Sequence, residues 1–472
     1  MHFETSLEYL ESRPYDEINV GDTSSLLRTL RPEDVKLFAL MSGDMNPALA
    51  NADFRHSGLF RDFIAHGMWS ASLLSTILGT QFPGPGTVLI ESTLHFARPV
   101  TIGDTITVTV TVRQKFAHNQ HIILDCACLN QEGLLVVSGS AEVLAPAAKI
   151  RTKRTVMPEI TISDKYARLQ VLVARAEGLA PIDMAVVHPC DRESLRGALL
   201  AAEAKLIDPF LIGPEQRIRA VAEENGFDLG SHRIVNVKHS HEAAAMAVTL
   251  VRSGDVEALM KGSLHTDELM AEVVSRAGGL RTARRISHVF MMDVPTYPRP
   301  IMITDAAINI LPTLQDKVDI IQNAIDLAHI IGTPEPKVAI LSAVETVNPK
   351  IQSTLDAAAL CKMADRGQIK GGLLDGPLAF DNAVSIVAAK TKGIDSAVAG
   401  RADILVVPDL ESGNMIAKQL EYLANALSAG IVLGASVPVV LTSRADTAET
   451  RIASCVIAAL IAHANRKREK VN

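Results

Sequence analysis

Aromatic side chains are scarce in this 472-residue sequence: they make up 4% of it, with a single tryptophan, Trp69. So small a share argues against a stacking surface for single-stranded nucleic acid. Basic residues are not in excess either, because the formal net charge is −7 and residues 1–150 carry most of it. A phosphate backbone would therefore find no electrostatic partner, and we expect no nucleic-acid binding.

Cysteines are few, and no long apolar run is present. The five cysteines include neither a CxxC pair nor a Cys/His cluster with zinc spacing, which predicts a reduced, cytoplasmic protein without structural metal. The run CVIAALIA (455–462) is too short to span a bilayer. The acidic first residues lack an apolar stretch, so we expect no signal peptide and no membrane association.

Four catalytic signatures are also missing. The chain has no GxxxxGK[ST], no GxGxxG after a strand, no HExxH and no GxSxG. These absences argue against a P-loop ATPase, a Rossmann dehydrogenase, a zincin and an α/β-hydrolase.

Two patterns divide the chain, which at this length exceeds one hydrophobic core. Residues 87–144 alternate apolar and polar side chains in four runs, which predicts an antiparallel meander with one polar face. The preceding segment FIAHGMWSASLLSTILG (63–79) is apolar on nearly all sides, so it predicts a buried helix with Met68, Trp69 and Leu73 in the core. A meander wrapped around one helix is a hot-dog arrangement, an α+β domain that we place at residues 1–148.

A linker follows the meander. Residues 145–158, APAAKIRTKRTVMP, combine two prolines, small residues and a short basic run. Such a composition is typical of a connecting segment. We place the linker at 149–164 and the second domain at 165–472.

The second domain alternates short β-rich runs with helical segments. This alternation predicts a mostly parallel sheet covered by helices, and its length favours two α/β lobes with a cleft. The runs are MAVVHP (184–189), DPFLIG (208–213), RIVNV (233–237), EALMKGS (257–263), HVFMMDV (288–294), PIMITDA (300–306), KVAILSA (337–343), GGLLDGP (371–377), DILVVPD (403–409) and VPVVLTS (437–443).

Polar residues follow several of these runs, where open parallel sheets bind ligands. Lys261, His265 and Thr266 lie at and after EALMKGS, and Gly413-Asn414 follow DILVVPD. Ser443 ends VPVVLTS and Arg444 follows it, at the start of a helix whose free N–H groups favour anions. The pattern predicts a site for a phosphate or a phosphoanhydride.

Each of these features also has a structural explanation. Asp446 and Glu449 fit an Asp-x-x-Glu capping box, which needs no catalytic role. Gly413 fits a turn, Lys261-Gly262-Ser263 an ordinary strand end, and His188 a packed core histidine.

Three runs carry a family resemblance. GGLLDGPLAFDNAVS, VAGRADILVVPDLESGNMIAKQL and AGIVLGASVPVVLTSRAD closely resemble the phosphate acetyl/butyryltransferases, nearer the butyryl branch, over about residues 180–465. The resemblance implies a two-lobed α/β/α fold like the isocitrate and isopropylmalate dehydrogenases. It also implies a dimer, no metal or organic cofactor, and acyl-CoA with phosphate or acyl phosphate as substrates.

The same resemblance assigns roles. Ser443 would hold the thiol or the developing oxyanion, and Arg444 would hold phosphate. The acetyl branch has a catalytic aspartate at the position of Thr450, so Asp446 and Glu449 become the candidates for the base. Residues at the other matching runs would bind substrate: Lys261, Ser263, His265, Thr266, Asp375, Gly413 and Asn414.

The first domain has its own resemblance. SGDMNPAL (42–49), the helix IAHGMWSASLLSTILG and the run PGPGTVLIESTLHFARPVTIGDTITV resemble the MaoC-like (R)-specific enoyl-CoA hydratases. Active members have Asp-x-Asn-Pro-x-His, in which Asp and His activate the water. The helix start at His66-Gly67 would offer an N–H to the thioester oxygen.

This chain keeps Asp44, Asn46 and Pro47 but has Leu49 at the histidine position. Leucine cannot transfer a proton, so we expect hydration to be weak or absent. A working bifunctional enzyme, with His56 or His66 as substitute, is one alternative. Others are a non-catalytic module for acyl-CoA binding or oligomerisation, and a dehydrogenase on the related two-lobed fold.

Overall fold

A computed structural model describes residues 9–44, 66–155, 167–442 and 446–469. The chain divides into two compact units, Met1–Ser163 and Asp164–Asn472. Each unit has its own hydrophobic core.

The first unit is an antiparallel sheet curled around one helix. Its five strands lie in the order β2-β4-β5-β6-β3. They are β2 (Thr23–Thr29), β3 (Val88–Phe96), β4 (Thr105–Phe116), β5 (His121–Leu129) and β6 (Leu135–Leu144). In the described part of this unit, two α-helices accompany the strands, α1 (Pro32–Ser42) and α2 (Gly67–Thr80). A separate strand pair consists of β1 (Tyr9–Glu11) and β7 (Arg151–Lys153).

Alternation in the strands builds the core against α2. Ile106, Val108 and Val110 of β4 are fully buried, while their neighbours along the strand are half-buried. On the helix, Trp69 and Leu73 are buried as predicted, whereas Met68 is 60% exposed. Met68 occupies the first turn of α2 on the side away from the sheet, so its assignment to the core is wrong.

The sheet is not a simple meander. Strand β3 pairs with β6 instead of β4, because β2 occupies the free edge of β4. The alternating pattern of residues 23–29 escaped prediction, since Thr and Ser dominate that segment. Strand β7 lies inside the segment predicted as linker and belongs to the first unit through its pairing with β1.

The second unit contains one sheet of eleven strands in the order β10-β9-β8-β11-β18-β17-β12-β13-β16-β14-β15. In chain order the strands are β8 (Ile182–Val187), β9 (Ile207–Gly213), β10 (Arg233–Asn236), β11 (Ala258–Lys261), β12 (Ser287–Asp293), β13 (Ile301–Thr304), β14 (Lys337–Leu341), β15 (Leu373–Leu378), β16 (Ile404–Val406), β17 (Leu427–Leu433) and β18 (Val439–Val440).

Eleven helices of the described residues accompany this sheet. They are α3 (Ala167–Ala176), α4 (Arg192–Glu203), α5 (Glu215–Asn225), α6 (Ser240–Ser253), α7 (Thr266–Val273), α8 (Leu314–Ile330), α9 (Gln352–Asp365), α10 (Phe380–Val384), α11 (Ile386–Thr391), α12 (Leu410–Leu423) and α13 (Ala448–Glu469).

Two parallel halves meet at antiparallel strands. Strands β10, β9, β8, β11 and β18 run parallel to one another, and so do β13, β16, β14 and β15. Between the halves, β17 pairs antiparallel with β18 and β12, and β12 pairs antiparallel with β13. Strand β17 was not predicted, because its run leads into VPVVLTS after only a short turn at Gly434 (φ +81°).

The two faces of the sheet are covered differently. On one face a single apolar cluster extends across both halves, with α4, α8, α9 and α13 contributing to it. The other face carries two separate clusters, one beneath α6 and α7 and one beneath α10 and α12. A cleft of about 650 Å³ lies between α7 and the segments that precede α8 and α12.

A histidine is buried where the two halves meet. His288 of β12 is 0% exposed, lies edge-on to Phe290 with ring centroids 4.4 Å apart, and has no well-directed hydrogen bond from either ring nitrogen among the described residues. Burial lowers its pKa to about 3, although the Leu441 carbonyl acts in the opposite direction. The imidazole is therefore neutral in the folded chain at physiological pH.

This burial predicts a pH-dependent stability. In the unfolded chain His288 has an ordinary pKa of about 6.5, so below that pH it binds a proton that it does not bind in the folded chain. The free energy of unfolding therefore falls as the pH drops from about 6.5 toward about 3. Between pH 7 and pH 5 this one group should cost about 2 kcal/mol, and His288→Leu should remove that difference.

Urea unfolding at both pH values checks this, followed by circular dichroism. Fluorescence of Trp69 reports the first unit separately, since it is the sole tryptophan. His241→Gln, at an exposed position of α6, is the control. An unchanged pH dependence in His288→Leu would contradict the assignment.

Candidate active site

Three neighbouring parallel strands end at one edge of the sheet, and a helix begins after each of them. Strands β8, β11 and β18 are adjacent, and α4, α7 and α13 follow them in sequence. Such an arrangement places several helix N-termini, with their unpaired N–H groups, at one place. It can hold an anion without a dedicated phosphate loop.

His188 and Ser263 connect the ends of β8 and β11. Ser263 Oγ donates to the carbonyl oxygen of His188 at 2.9 Å and lies 3.0 Å from His188 Nδ1. The approach requires glycine at 262, because a Cβ atom there would lie 2.4 Å from the Val187 carbonyl oxygen. Burial, together with nearby Arg217, lowers the pKa of His188. Ser263 is thus engaged by the protein itself, and His188 is a buried histidine as the structural explanation predicts.

Lys261 is buried at the end of β11. The residue is only 4% exposed. Its Nζ donates to the carbonyl oxygens of Thr442 (3.4 Å) and Gly262 (3.5 Å). The ammonium therefore supports the backbone that continues β18. The sequence assigned this lysine to substrate.

His265 and Thr266 begin α7. His265 is exposed and precedes the helix, and its backbone N–H donates to the Glu268 carboxylate at 3.4 Å. The hydrogen bond from Ser240 lowers the pKa of Glu268, so this carboxylate stays ionised. Thr266 lines the 650 Å³ cleft.

The start of α13 carries the candidate bases. Asp446 is 4% exposed and Glu449 is half-buried. The helix begins at Ala448, one residue later than the capping box requires, and Thr447 Oγ1 accepts a long contact from the Thr450 N–H at 3.5 Å. Ser443 and Arg444 lie outside the described residues.

Asp446 also acts on the helix across the cleft. Burial lowers the pKa of Lys418 on α12, but the Glu421 carboxylate at 2.8 Å and the charge of Asp446 more than offset it. The pKa of Lys418 therefore lies above its usual value. Lys418 on α12 and Asp446, just before α13, are therefore close enough to interact electrostatically.

Asp375, Gly413 and Asn414 take other positions. Asp375 lies on β15 at the far edge of the sheet, where its Oδ1 accepts from the Gly376 N–H at 2.8 Å. Gly413 packs against Ala306, since a Cβ atom there would lie 3.0 Å from the Ala306 Cβ. Asn414 Nδ2 donates to the Ala306 carbonyl oxygen at 3.3 Å. The structure does not bring Asp375 to the ends of β8, β11 and β18.

A rigid wall of the cleft escaped sequence reasoning. Asp305, 2% exposed, accepts backbone N–H groups of Ala307 and Ile308 at 3.0 Å and Asn309 Nδ2 at 2.5 Å. Burial raises its pKa, against these hydrogen bonds. Arg285 Nε donates to Asn309 Oδ1 at 2.7 Å and lines the cleft with Arg281 and Arg284. The run DAAINILP contained the signal, an acid and an amide at the end of a strand.

The first unit pairs two of its predicted residues. Asp44 follows α1 after Gly43 (φ +72°), and one carboxylate oxygen lies 3.6 Å from Nε2 of His66. His66 is 5% exposed and precedes Gly67 at the start of α2, and Gly67 borders a cavity of about 270 Å³. Asn46, Leu49 and His56 lie outside the described residues.

The described residues contain neither a metal-binding cluster nor a membrane-spanning helix. Within the described ranges, no group of three His, Cys, Asp or Glu side chains is arranged to hold a metal ion. None of the helices in those ranges is long and apolar enough to cross a membrane.

Comparisons with known proteins match both units. A family model described as Phosphate acetyl/butaryl transferase matches residues 237–459, and one described as MaoC like domain matches residues 19–124.

Curated relatives and a solved structure match the second unit. A protein named phosphate acetyltransferase from Rhizobium meliloti is 64% identical over 302 residues, which are 64% of this chain and 95% of that protein. A phosphate butyryltransferase from Clostridium beijerinckii is 41% identical over 295 residues, 62% of this chain and 98% of that protein. The crystal structure of a branched-chain phosphotransacylase from Enterococcus faecalis V583 superposes with a TM-score of 0.53 at 31% identity, over 60% of this chain and 99% of that one.

High identity over nearly the whole length of these relatives, together with the matching fold of the second unit, leads to one assignment. The chain belongs to the phosphate acetyl/butyryltransferase family and carries a MaoC-like domain before the transferase domain.

Proposed function

We propose that the second unit transfers a short acyl group between coenzyme A and phosphate. The observation that carries the proposal is the convergence of three helix N-termini, those of α4, α7 and α13, after the adjacent strands β8, β11 and β18. Phosphate, acyl phosphate and a thiolate are all anions, which this edge of the sheet favours. Family membership identifies the reaction class.

The reaction requires positioning more than activation. In one direction the CoA sulfur attacks the carbonyl carbon of the acyl phosphate, the carbon–oxygen bond to phosphate breaks, and phosphate leaves. The thiol proton passes to a base, for which Asp446 and Glu449 are the candidates on the first residues of α13. Ser443 would stabilise the oxyanion and Arg444 the phosphate.

No oxidation state changes in this exchange, so it needs no electron carrier, and we propose that it runs without a metal or organic cofactor. The cleft beside α7 also supports a more specific description of the fold. We infer that the second unit has the two-lobed architecture of the isocitrate and isopropylmalate dehydrogenases, with dehydrogenation disfavoured by the family assignment.

Acetyl-CoA is the substrate we favour over butyryl-CoA. The support is the 64% identity to a relative named phosphate acetyltransferase, against 41% to one named phosphate butyryltransferase. The sequence runs alone had pointed nearer to the butyryl branch. The preferred acyl length depends on the shape of the pocket, and a small number of substitutions is enough to change it.

We propose that the first unit hydrates enoyl-CoA weakly or not at all, because Leu49 replaces the histidine that would share the water with Asp44. One observation favours the alternative of a working hydratase: Asp44 and His66 lie 3.6 Å apart. His66 is nearly fully buried, however, and a buried imidazole is poorly placed to exchange protons with substrate water.

We further propose that the chain forms a homo-oligomer through the edge strand β3. Four of its apolar side chains, Val88, Leu89, Ile90 and Phe96, are 45% to 51% exposed. An unpaired edge with this much apolar surface invites pairing with a second copy.

The transferase proposal predicts the effect of two substitutions. Ser443→Ala and Arg444→Gln should each lower kcat for CoA release from acetyl-CoA and phosphate by about 10²–10³-fold, because each removes a charge-stabilising group from the transition state. A thiol reagent measures free CoA, and Arg366→Gln at an exposed helix end is the control.

The same assay over acyl chain length tests substrate preference, with a higher kcat/KM expected for acetyl-CoA than for butyryl-CoA. If the wild type released CoA from no short acyl-CoA, the transferase assignment would be lost. A preference for butyryl-CoA would refute only the choice of acyl group.

The hydratase proposal predicts that restoring a histidine restores chemistry. Leu49→His should raise crotonyl-CoA hydration by about 10²-fold or more, since it completes the acid–base pair, and leave phosphotransacylation within twofold. Loss of enoyl absorbance follows the reaction.

Leu49→Asn, which is polar but cannot take up the proton, is the matched control and should gain nothing. Rapid hydration by the wild type, abolished in His66→Gln, would show that the Asp44–His66 pair performs the reaction.

The oligomer proposal predicts that a charge on β3 disrupts assembly. Ile90→Arg should lower the mass measured by light scattering after gel filtration, since a buried unpaired charge is costly. Val20→Arg, at an exposed position outside the strand, should not. A monomeric wild type would refute the proposal.

A further inference from the structure

One arginine is buried in α13, a helix of the second unit whose middle turns are almost wholly buried. Arg451 of α13 is 1% exposed, and the following residues Cys455, Val456 and Ile457 are all 0% exposed. Burying a guanidinium costs several kcal/mol, and an apolar replacement of similar volume is often neutral or stabilising. A helix that needed only packing at this position would be more stable without the charge.

Among the described residues, the guanidinium is directed to the hydroxyl of Thr442. Nη1 of Arg451 donates to Oγ1 of Thr442 at 2.7 Å, and Thr442 is itself 4% exposed. A short bond between buried partners, one of them charged, is among the stronger hydrogen bonds in proteins. Its acceptor is the last described residue before Ser443.

The stem of Arg451 is fixed by a glycine on another helix. A Cβ atom on Gly197 of α4 would lie 2.5 Å from Cδ, 3.0 Å from Cβ and 3.3 Å from Cγ of Arg451. The side chain therefore passes directly over the α4 backbone and has one available path to Thr442. Contact with Gly197 therefore restricts the conformation of the long Arg451 side chain.

A second cation holds the same residue from the other side. Lys261 Nζ donates to the Thr442 carbonyl oxygen at 3.4 Å, while Arg451 holds its hydroxyl. The hydroxyl and the backbone carbonyl oxygen of Thr442 thus each accept a hydrogen bond from a buried cation, and the two cations belong to different elements, β11 and α13. Burial lowers the pKa of Arg451, and Asp191 and Asp446 act against this, so the guanidinium stays charged.

A third contact fixes α13 itself. Ser454, one turn further along, donates to the Thr450 carbonyl oxygen at 2.8 Å and accepts the Gly430 N–H of β17 at 3.0 Å. The helix that carries Arg451 is thereby anchored to the antiparallel strand at the centre of the sheet. Arg451 is thus held both through its helix, at Ser454, and through its guanidinium, at Thr442.

We propose that Arg451 and Lys261 are positioning residues for the reaction: they fix Thr442, the residue that directly precedes Ser443 in the sequence. The inference rests on the proposed acyl transfer and names residues that act on the reaction without touching substrate. Transition-state stabilisation depends on sub-ångström placement, so loosening Thr442 reduces kcat, whereas substrate binding along the cleft is largely preserved.

The test uses two isosteric changes at Thr442. Thr442→Val keeps the shape and removes the acceptor of the arginine bond, and Thr442→Ser keeps the hydroxyl. We expect Thr442→Val to lower kcat at least about tenfold with KM for acetyl-CoA within about threefold, and Thr442→Ser to retain most of the activity. Full-length protein is assayed well below its unfolding temperature, with circular dichroism confirming the folded state.

A substitution at Gly197 tests the position of the Arg451 side chain and leaves both partners of the Arg451–Thr442 hydrogen bond unchanged in sequence. Gly197→Ala places a methyl group against the Arg451 stem and should reproduce the kcat loss of Thr442→Val. Gly79→Ala is the matched control, because a Cβ atom at that helical glycine meets nothing within 4 Å. In the Thr442→Val background, Gly197→Ala should add little further loss, since both changes break the same contact.

Three outcomes overturn the proposal. Thr442→Val with kcat within twofold of wild type would make Arg451 a structural residue only, and so would a loss in Thr442→Ser as large as in Thr442→Val. A wild type that transfers no acyl group would overturn the proposed function and this inference together, whereas an active wild type with unaffected variants overturns this inference alone.

Discussion

Hydrogen bonding across β12 and β17 holds the second unit together. These two strands run antiparallel to their neighbours and join two parallel halves into one sheet. Because the sheet is continuous, one face receives an unbroken helical layer. The halves need separate layers on the other face, and the cleft lies between those layers. The candidate cleft therefore lies where the two separate helical layers of that face meet.

The same central strands explain how rigid the candidate site is. β17 supplies the backbone N–H that fixes α13 through Ser454, and β12 contributes the fully buried His288. A neutral imidazole in this position lets the two halves pack without a charge between them. The positions of groups at the candidate site thus depend on residues buried in the centre of the sheet.

Sequence reasoning predicted much of this architecture, for physical reasons that differ by element. Ten of the strands of the second unit were predicted from runs of apolar residues bounded by turn residues, since buried parallel strands have no other pattern. Strand β17 was missed because only the short turn Gly434-Ala435-Ser436 separates it from VPVVLTS, and strand β2 because threonine and serine dominate its segment. The predicted order of β3 beside β4 failed because pairing partners depend on the free edges of the sheet, which alternation does not encode.

The candidate site was predictable only where chemistry shows in the sequence. Lys261, Thr266 and Asp446 follow strands and were named on that ground, and Lys261 and Asp446 are buried there. Asp375 occurs in a family run yet lies at the far edge of the sheet, because proximity in a motif is not proximity in space. Arg451 gave little signal, as a single arginine before an apolar stretch is usually read as a helix surface residue. Only its burial, and the glycine beneath it, reveal what it contacts.

The contact between Gly197 and Arg451 constrains how the two helices that carry them can diverge. Any side chain at position 197 displaces the arginine, and a shorter residue at position 451 leaves a polar void above the glycine. Neither position can drift alone, so descendants of this chain should change them jointly or keep them both. Correlated substitution of positions 197 and 451, which are far apart in sequence, would be the evolutionary record of the close contact between α4 and α13.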